Sequence, residues 1–117
     1  MRNFVSLKLN KEFKRTYYQG KFKANPLVVT YVVKNKLGIN RVGFTTSKKI
    51  GNAVKRNRAR RILRVAYLNA ISTFDLCGYD FVFLARDKTP ASSAKKLEPI
   101  IKKHISLILL PNNQKKS

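Results

Sequence analysis

The sequence predicts one α+β domain, a small α/β sandwich in the order helix, two or three strands, helix, strand, helix. A length of 117 residues suits a single domain over 1–117, and 44% hydrophobic residues suffice for a packed core. Two runs rich in β-branched and aromatic residues, 27–33 and 79–86, have the length of strands rather than helices. Helical periodicity marks a long segment over 52–72 and another that ends near Leu110. No internal repeat is visible, and the polar residues 112–117 read as a flexible tail.

Taken in order, Asn10 is a candidate cap for a first helix. Glu12 in its first turn complements the helix dipole, and Gly20 stops it. Phe13 and Tyr17 stand four apart and share a face of this helix. The run 27–33 (Leu-Val-Val-Thr-Tyr-Val-Val) is apolar on both faces, so both are expected to be covered. Residues 34–40 contain Lys-Leu-Gly and read as a hairpin loop leading into a strand over 41–47, where Val42, Phe44 and Thr46 alternate with Arg41, Gly43 and Thr45. Asn52, after Gly51, is a candidate cap for the long helix. The nearly continuous apolar run at 79–86 points to a central strand. Residues 89–93, with Pro90, read as a loop. The last helix has two candidate starts. Proline sits comfortably only in a first turn, so Pro99 favours a start near Glu98, whereas a start near Ser93 would demand a kink.

The charge is the unusual property. Twenty-six Lys and Arg stand against 5 Asp and Glu, a net charge of +21. Ordinary small domains carry about 2–8 charges of either sign. No acidic residue occurs from Phe13 to Phe74. Such a surface repels itself, and a polyanion relieves the repulsion while releasing its own counterions. The function classes this leaves are narrow. The single Cys77 cannot close an intrachain disulfide and fits a reducing compartment. His104 is the only histidine, and both residues read as packing or surface positions. Glu12, Asp75, Asp80, Asp87 and Glu98 are scattered along the chain, with no carboxylate cluster for two-metal hydrolysis and no partnered general base. The N-terminus has no apolar signal core, and no run approaches the ~18 apolar residues of a membrane span. The expectation is a cytoplasmic protein without a membrane partner.

The charge becomes specific on the long helix. At 100° per residue, Ala59, Ile62, Leu63, Ala66 and Ala70 form a core-facing stripe. Arg56, Arg60 and Arg64 fall at i, i+4 and i+8 on the other side, with Asn57 and Arg61 between or beside them. Like charges at this spacing cost a few tenths of a kcal/mol each, about 0.2–0.5. Guanidinium forks match phosphate oxygens bidentately and stack on bases. Lys48, Lys49 and the Gly51–Asn52 backbone lie at the helix start, where free N–H groups add an anion site.

The segment 47–64, Ser-Lys-Lys-Ile-Gly-Asn-Ala-Val-Lys-Arg-Asn-Arg-Ala-Arg-Arg-Ile-Leu-Arg, closely resembles the signature of the bacterial ribonuclease P protein subunit family. The match is long and without gaps. Beyond it, Asn10-Lys11-Glu12-Phe13 fits the family's first helix, and Tyr31 its strand aromatic. Arg41-Val42-Gly43-Phe44 and Tyr79 to Arg86 fit the strands on either side of the basic helix. Tyr17 stands where Phe is common, and Pro99 is atypical.

The resemblance implies a fold order α-β-β-β-α-β-α with a left-handed β-α-β crossover around the basic helix, against the usual right-handed rule. It implies a ribonucleoprotein whose catalytic RNA, with Mg²⁺, hydrolyses precursor tRNA to release the 5′ leader, no protein side chain being catalytic. By position, Lys48, Lys49, Asn52, Arg56, Asn57, Arg58, Arg60, Arg61 and Arg64 would meet the catalytic RNA. Phe13, Tyr17 and Tyr31 would line a cleft for the single-stranded leader, where stacking tolerates varied sequence. Lys14, Arg15 and Lys34 would neutralise leader phosphates. The family also has metal ions near the protein–RNA boundary, for which the sequence identifies no ligands. Two other readings compete. A ribosomal or other structural RNA-binding protein would share the charge but not need the 48–64 frame. A DNA-binding protein would need a helix-turn-helix spacing or dimer-forming segment, and neither is present.

Overall fold

The structure is a computed structural model and describes residues 4–110. Its centre is the apolar run near residue 80. Tyr79–Ala85 forms β5, the middle strand of a five-stranded sheet. Across the sheet the order is β1 (Val5–Ser6), β4 (Arg41–Thr45), β5, β3 (Val28–Lys34) and β2 (Lys21–Asn25). Helices α1 (Asn10–Gln19), α2 (Ala53–Ile71) and α3 (Ala94–Leu109) complete the chain. The expected order of helices and strands is found, preceded by β1, whose two residues are too short for any periodicity to announce.

β5 runs parallel to β4 and antiparallel to β3. Parallel neighbours cannot be joined by a tight turn, so a crossover connects β4 to β5, and α2 is that crossover. Residues 34–40 are therefore not a hairpin loop. β3 and β4 lie on opposite sides of β5, and the loop carries the chain past it. The hairpin is one connection earlier, where β2 and β3 pair in register from Lys21 with Val32 to Asn25 with Val28.

Strand parity builds two layers. Phe81 and Phe83 of β5, Val28 and Val32 of β3 and Val42 of β4 face α2 and α3, and all are buried. Each fully buried Phe contributes about 1.5–3 kcal/mol relative to exposure. From α2, the expected stripe residues Ala59, Leu63, Ala66 and Ala70 are buried and Ile62 partly so. Tyr67, absent from that stripe, is also buried, its ring 5.4 Å from Phe83 and 5.6 Å from Phe81. Burial pushes its phenol above the ordinary range. α1 lies on the opposite face, against β3 and β5.

The ends of the helices correct two expectations. The first residue of α1 is Asn10, and its cap is Leu9. Leu9 has no polar side chain, so Glu12 does the capping in reverse: its carboxylate accepts the N–H groups of Lys8 at 2.8 Å and Leu9 at 2.9 Å. Gly20 ends the helix as expected. α3 begins at Ala94, capped by Ser93 Oγ accepting from Lys96 N–H at 3.2 Å, and continues through Pro99. The early start wins because Leu97, Ile101, Ile105 and Ile108 are buried on one face, which outweighs the single hydrogen bond Pro99 cannot donate. The 89–93 loop contains a short 3₁₀ turn, Thr89–Ala91. Pro111 and the expected tail 112–117 lie outside the described residues.

Candidate nucleic-acid interface

The entry to α2 is built by its backbone. A 3₁₀ turn, Lys48–Ile50, exposes Lys48 and Lys49 and leads into Gly51 at φ 130° and ψ −150°, a conformation essentially reserved for glycine. Asn52 then caps the helix, Oδ1 accepting from Lys55 N–H at 3.0 Å. The N–H groups of Ala53 and Val54 have no acceptor among the described residues, so the first turn offers free donors beside two lysines.

The arginine row divides into two kinds. Arg56 is half-buried, and its Nη1 donates to the Gly51 carbonyl at 2.7 Å. Arg60 is exposed but held. Its Nη1 donates to Asn57 Oδ1 at 2.8 Å and its Nη2 to Thr46 Oγ1 at 3.1 Å. Arg58, Arg61 and Arg64 are exposed, and their guanidinium groups make no hydrogen bond among the described residues. No carboxylate pairs with any of these five within that range. Asn57 is thus an orienting group as well as a surface one. The row presents fixed guanidinium planes next to mobile ones, a surface that meets phosphates with part of its side-chain ordering done in advance.

On the other face of the sheet, the Phe13 ring approaches Gly43 with its Cε1 and Cζ atoms. A β-carbon at Gly43 would overlap the ring, so glycine is required there for α1 to sit this close. Phe13, Lys14 and Tyr17 border one open depression of about 340 Å³ together with Asn10 and Thr45. The Thr45 hydroxyl is buried without a partner among the described residues. Tyr31 reaches this group through Tyr17, edge to face at 4.9 Å. Its other side stacks on Phe22 of β2 at 5.5 Å. Phe22, 57% exposed, extends the aromatic row to the sheet edge. Sequence reasoning missed it because β2 alternates over only five residues with Phe22 as its one large apolar side chain, and only the pairing of Phe22 with Tyr31 gives it a place. Lys34 is exposed at the end of β3 and has the parity of Thr30 and Val32, opposite to Tyr31. Its carbonyl accepts from Arg15 Nη2 at 2.7 Å.

A partly buried ionic network fixes α1 over this face. Arg41 of β4 holds Asp80 of β5 with two hydrogen bonds, Nε to Oδ1 at 2.9 Å and Nη2 to Oδ2 at 2.7 Å. Its third donor, Nη1, reaches Glu12 of α1 at 2.7 Å. Asp80 has no exposed surface and also accepts from Asn35 Nδ2 at 2.8 Å. Two acidic residues that look scattered in the sequence therefore meet at one guanidinium. The carboxyl of Glu12 is held below the ordinary range by the N–H groups of Leu9 and Lys8 and then by Arg41, and Asp80 raises the pKa of Arg41.

Chemically the surface can bind but offers few reacting groups. Among the described residues no three His, Cys, Asp or Glu side chains gather as metal ligands, and no helix is long and apolar enough to cross a membrane. Glu12 and Asp80 are committed to Arg41, and Glu98 pairs with Lys102 at 3.0 Å. His104 is buried with Nδ1 2.8 Å from Thr30 Oγ1, and Cys77 is exposed.

A family model described as Ribonuclease P matches residues 1–109. The chain is 40% identical over 104 residues to the ribonuclease P protein component of Thermoanaerobacter sp. (strain X514), covering 89% of each. It is 41% identical over 96 residues to that of Clostridioides difficile (strain 630), covering 82% of this chain and 84% of the relative. Among solved structures, the RNase P protein of Staphylococcus aureus superposes with a TM-score of 0.75 at 26% identity, over 90% of this chain and 95% of the other. The protein from Thermotoga maritima shares the fold, with a TM-score of 0.71 at 22% identity over 92% and 96%.

Proposed function

This chain belongs to the bacterial ribonuclease P protein family, and on that premise we propose that it docks on a catalytic RNA through α2 and guides the 5′ leader of precursor tRNA along the aromatic face under α1. The observation that carries the reading is the arginine face. Arg56, Arg58, Arg60, Arg61 and Arg64, with Lys48 and Lys49 at the helix start, have no carboxylate partner among the described residues. Asn52 shapes the helix start and Asn57 orients Arg60, so both act on RNA contact through the arginines as well as directly.

Phe13, Tyr17, Tyr31 and Phe22 form a row on which successive leader bases stack, with Lys14 at its border as a charge for phosphates, whereas Lys34 leaves its strand on the opposite face. Arg15, engaged by the Lys34 carbonyl and close to Asp80, mainly braces α1. Stacking suits a substrate whose sequence varies, because every base has a π face.

The hydrolysis itself belongs to the RNA partner and its Mg²⁺. The protein's donor set does not fit that ion: three of its five carboxylates are committed to arginine and lysine, and no three His, Cys, Asp or Glu side chains gather among the described residues. The chain's own contribution is to screen phosphate repulsion and hold the leader in line. Such work belongs in the cytoplasm, where tRNA precursors are made. The test is reconstitution: adding the protein to a bacterial ribonuclease P RNA at low Mg²⁺ should stimulate leader cleavage. Absence of stimulation, with tight binding to ribosomal RNA instead, would favour a structural RNA-binding role.

A further inference from the structure

A concavity of about 460 Å³ between the edge strand β2 and helix α3 takes no part in either surface above. Its polar rim is Lys23 and Asn25 from β2 and Lys103 and His104 from α3. No carboxylate lines it, and neither lysine forms an ion pair among the described residues. His104 is 5% exposed. Its Nδ1 is turned to the Thr30 hydroxyl, and Nε2 has no partner among the described residues. Asn25 uses Oδ1 to accept Leu27 N–H at 2.9 Å, which leaves its amide donors for the pocket. Pro99 and Leu107 supply an apolar wall beside these donors. Two unpaired ammonium groups thus converge with two directional donors on one hollow, a combination that suits a phosphate carrying an apolar substituent.

We propose that this pocket binds a phosphate group of an RNA strand crossing the β2 edge. Lys23 and Lys103 supply charge, His104 Nε2–H and Asn25 Nδ2 supply directed hydrogen bonds, and Pro99 and Leu107 receive the attached ribose and base. A phosphate here selects the His104 tautomer with its proton on Nε2 and the Thr30 hydroxyl donating to Nδ1. Strand geometry makes the crossing short. Phe22, whose ring stacks on Tyr31, and Lys23 are neighbours on β2 and point to opposite faces of the sheet. The site is lined by β2 and α3 and by no residue of α2, so it does not share side chains with docking through α2.

His104 is the only histidine, so its imidazole nitrogens give unambiguous NMR signals. The full chain is titrated with inorganic phosphate, adenosine monophosphate and a short single-stranded RNA. An Arg56→Ala/Arg60→Ala/Arg64→Ala variant is titrated alongside to keep α2 out of the readout. Saturable movement of the His104 signals is expected, with Nε2 protonated, in both proteins. Lys23→Ala/Lys103→Ala should weaken the response at least about tenfold, since two charge-assisted hydrogen bonds are lost. Both lysines are exposed, so its thermal midpoint should stay at the wild-type value and separate lost binding from lost folding. Saturation by RNA alone assigns the phosphate to a strand. Saturation by all three supports the pocket as a phosphate site but rejects a strand requirement. No saturable shift, or an equal shift in the double-lysine variant, overturns the proposal.

Discussion

Replacing Arg41 with Met removes three donors at once: two from the buried Asp80 and one from Glu12. Asp80, with no exposed surface, keeps among the described residues only Asn35 Nδ2 at 2.8 Å and the Arg15 guanidinium at 3.5 Å. Breaking a buried pair by removing one partner costs about 3–5 kcal/mol. Arg15 is 38% exposed and can swing closer, which places the loss at the lower end, about 3 kcal/mol. At ~2.1 cal/mol/K per residue, a chain of this length unfolds with about 0.25 kcal/mol/K, so the thermal midpoint should fall by roughly 12 °C. Circular dichroism melts of wild type and Arg41→Met measure this directly. Asp80→Asn in the Arg41→Met background should recover part of the loss, because it removes the stranded charge. The same variants should bind precursor tRNA less well, since Phe13 and Tyr17 ride on the helix that Arg41 anchors. A midpoint within about 3 °C of wild type, or no recovery by Asp80→Asn, would show that Arg41 does not compensate the buried Asp80 charge.

Phe22→Ser and Tyr31→Leu should each weaken precursor tRNA binding about 5- to 150-fold, the equivalent of one lost stacked base, while mature tRNA binding stays put; equal losses on both substrates would remove the leader row. Gly51→Ala forces a side chain into a glycine-only conformation and displaces the carbonyl that holds Arg56, so about 1–3 kcal/mol of stability should be lost along with RNA affinity. The pKa of His104 is lowered in the fold by burial, then by Lys103 and Lys23. The unfolded chain therefore takes up the proton first, and stability should fall as pH drops below the ordinary value of 6.5 towards the folded one. His104→Asn should flatten that part of a stability–pH profile. Glu12 behaves as a lowered carboxyl, stabilising above 4.5 and losing its contribution as pH falls through its folded value.

The sequence announced what depends on periodicity or on a local signal. β5 read as central because both of its faces are apolar, and α2 read as two-faced because its alanines and arginines keep helical spacing. Asn52 and Gly20 were legible as boundaries, since caps act within one turn. What escaped depends on which strands are neighbours. The 34–40 loop resembles a hairpin until β5, far along the chain, inserts between β3 and β4. The same insertion brings Asp80 beside Arg41 and so to Glu12, a contact across 39 and 29 positions that no window of sequence contains. Phe22 acquires meaning only from its register with Tyr31. Asn10 failed as a cap because Glu12 reaches back to the backbone and makes a polar cap unnecessary.

If the arginine face of α2 docks the chain on its RNA, the affinity must carry the salt dependence of those guanidinium–phosphate contacts. Binding of wild type and of Arg56→Ala/Arg60→Ala/Arg64→Ala to a bacterial ribonuclease P RNA is measured over a range of monovalent salt. If each guanidinium meets one phosphate, the slope of log K against log salt should flatten by about 2–3 in the variant. Parallel slopes, with affinity changed or not, would contradict docking by this helix.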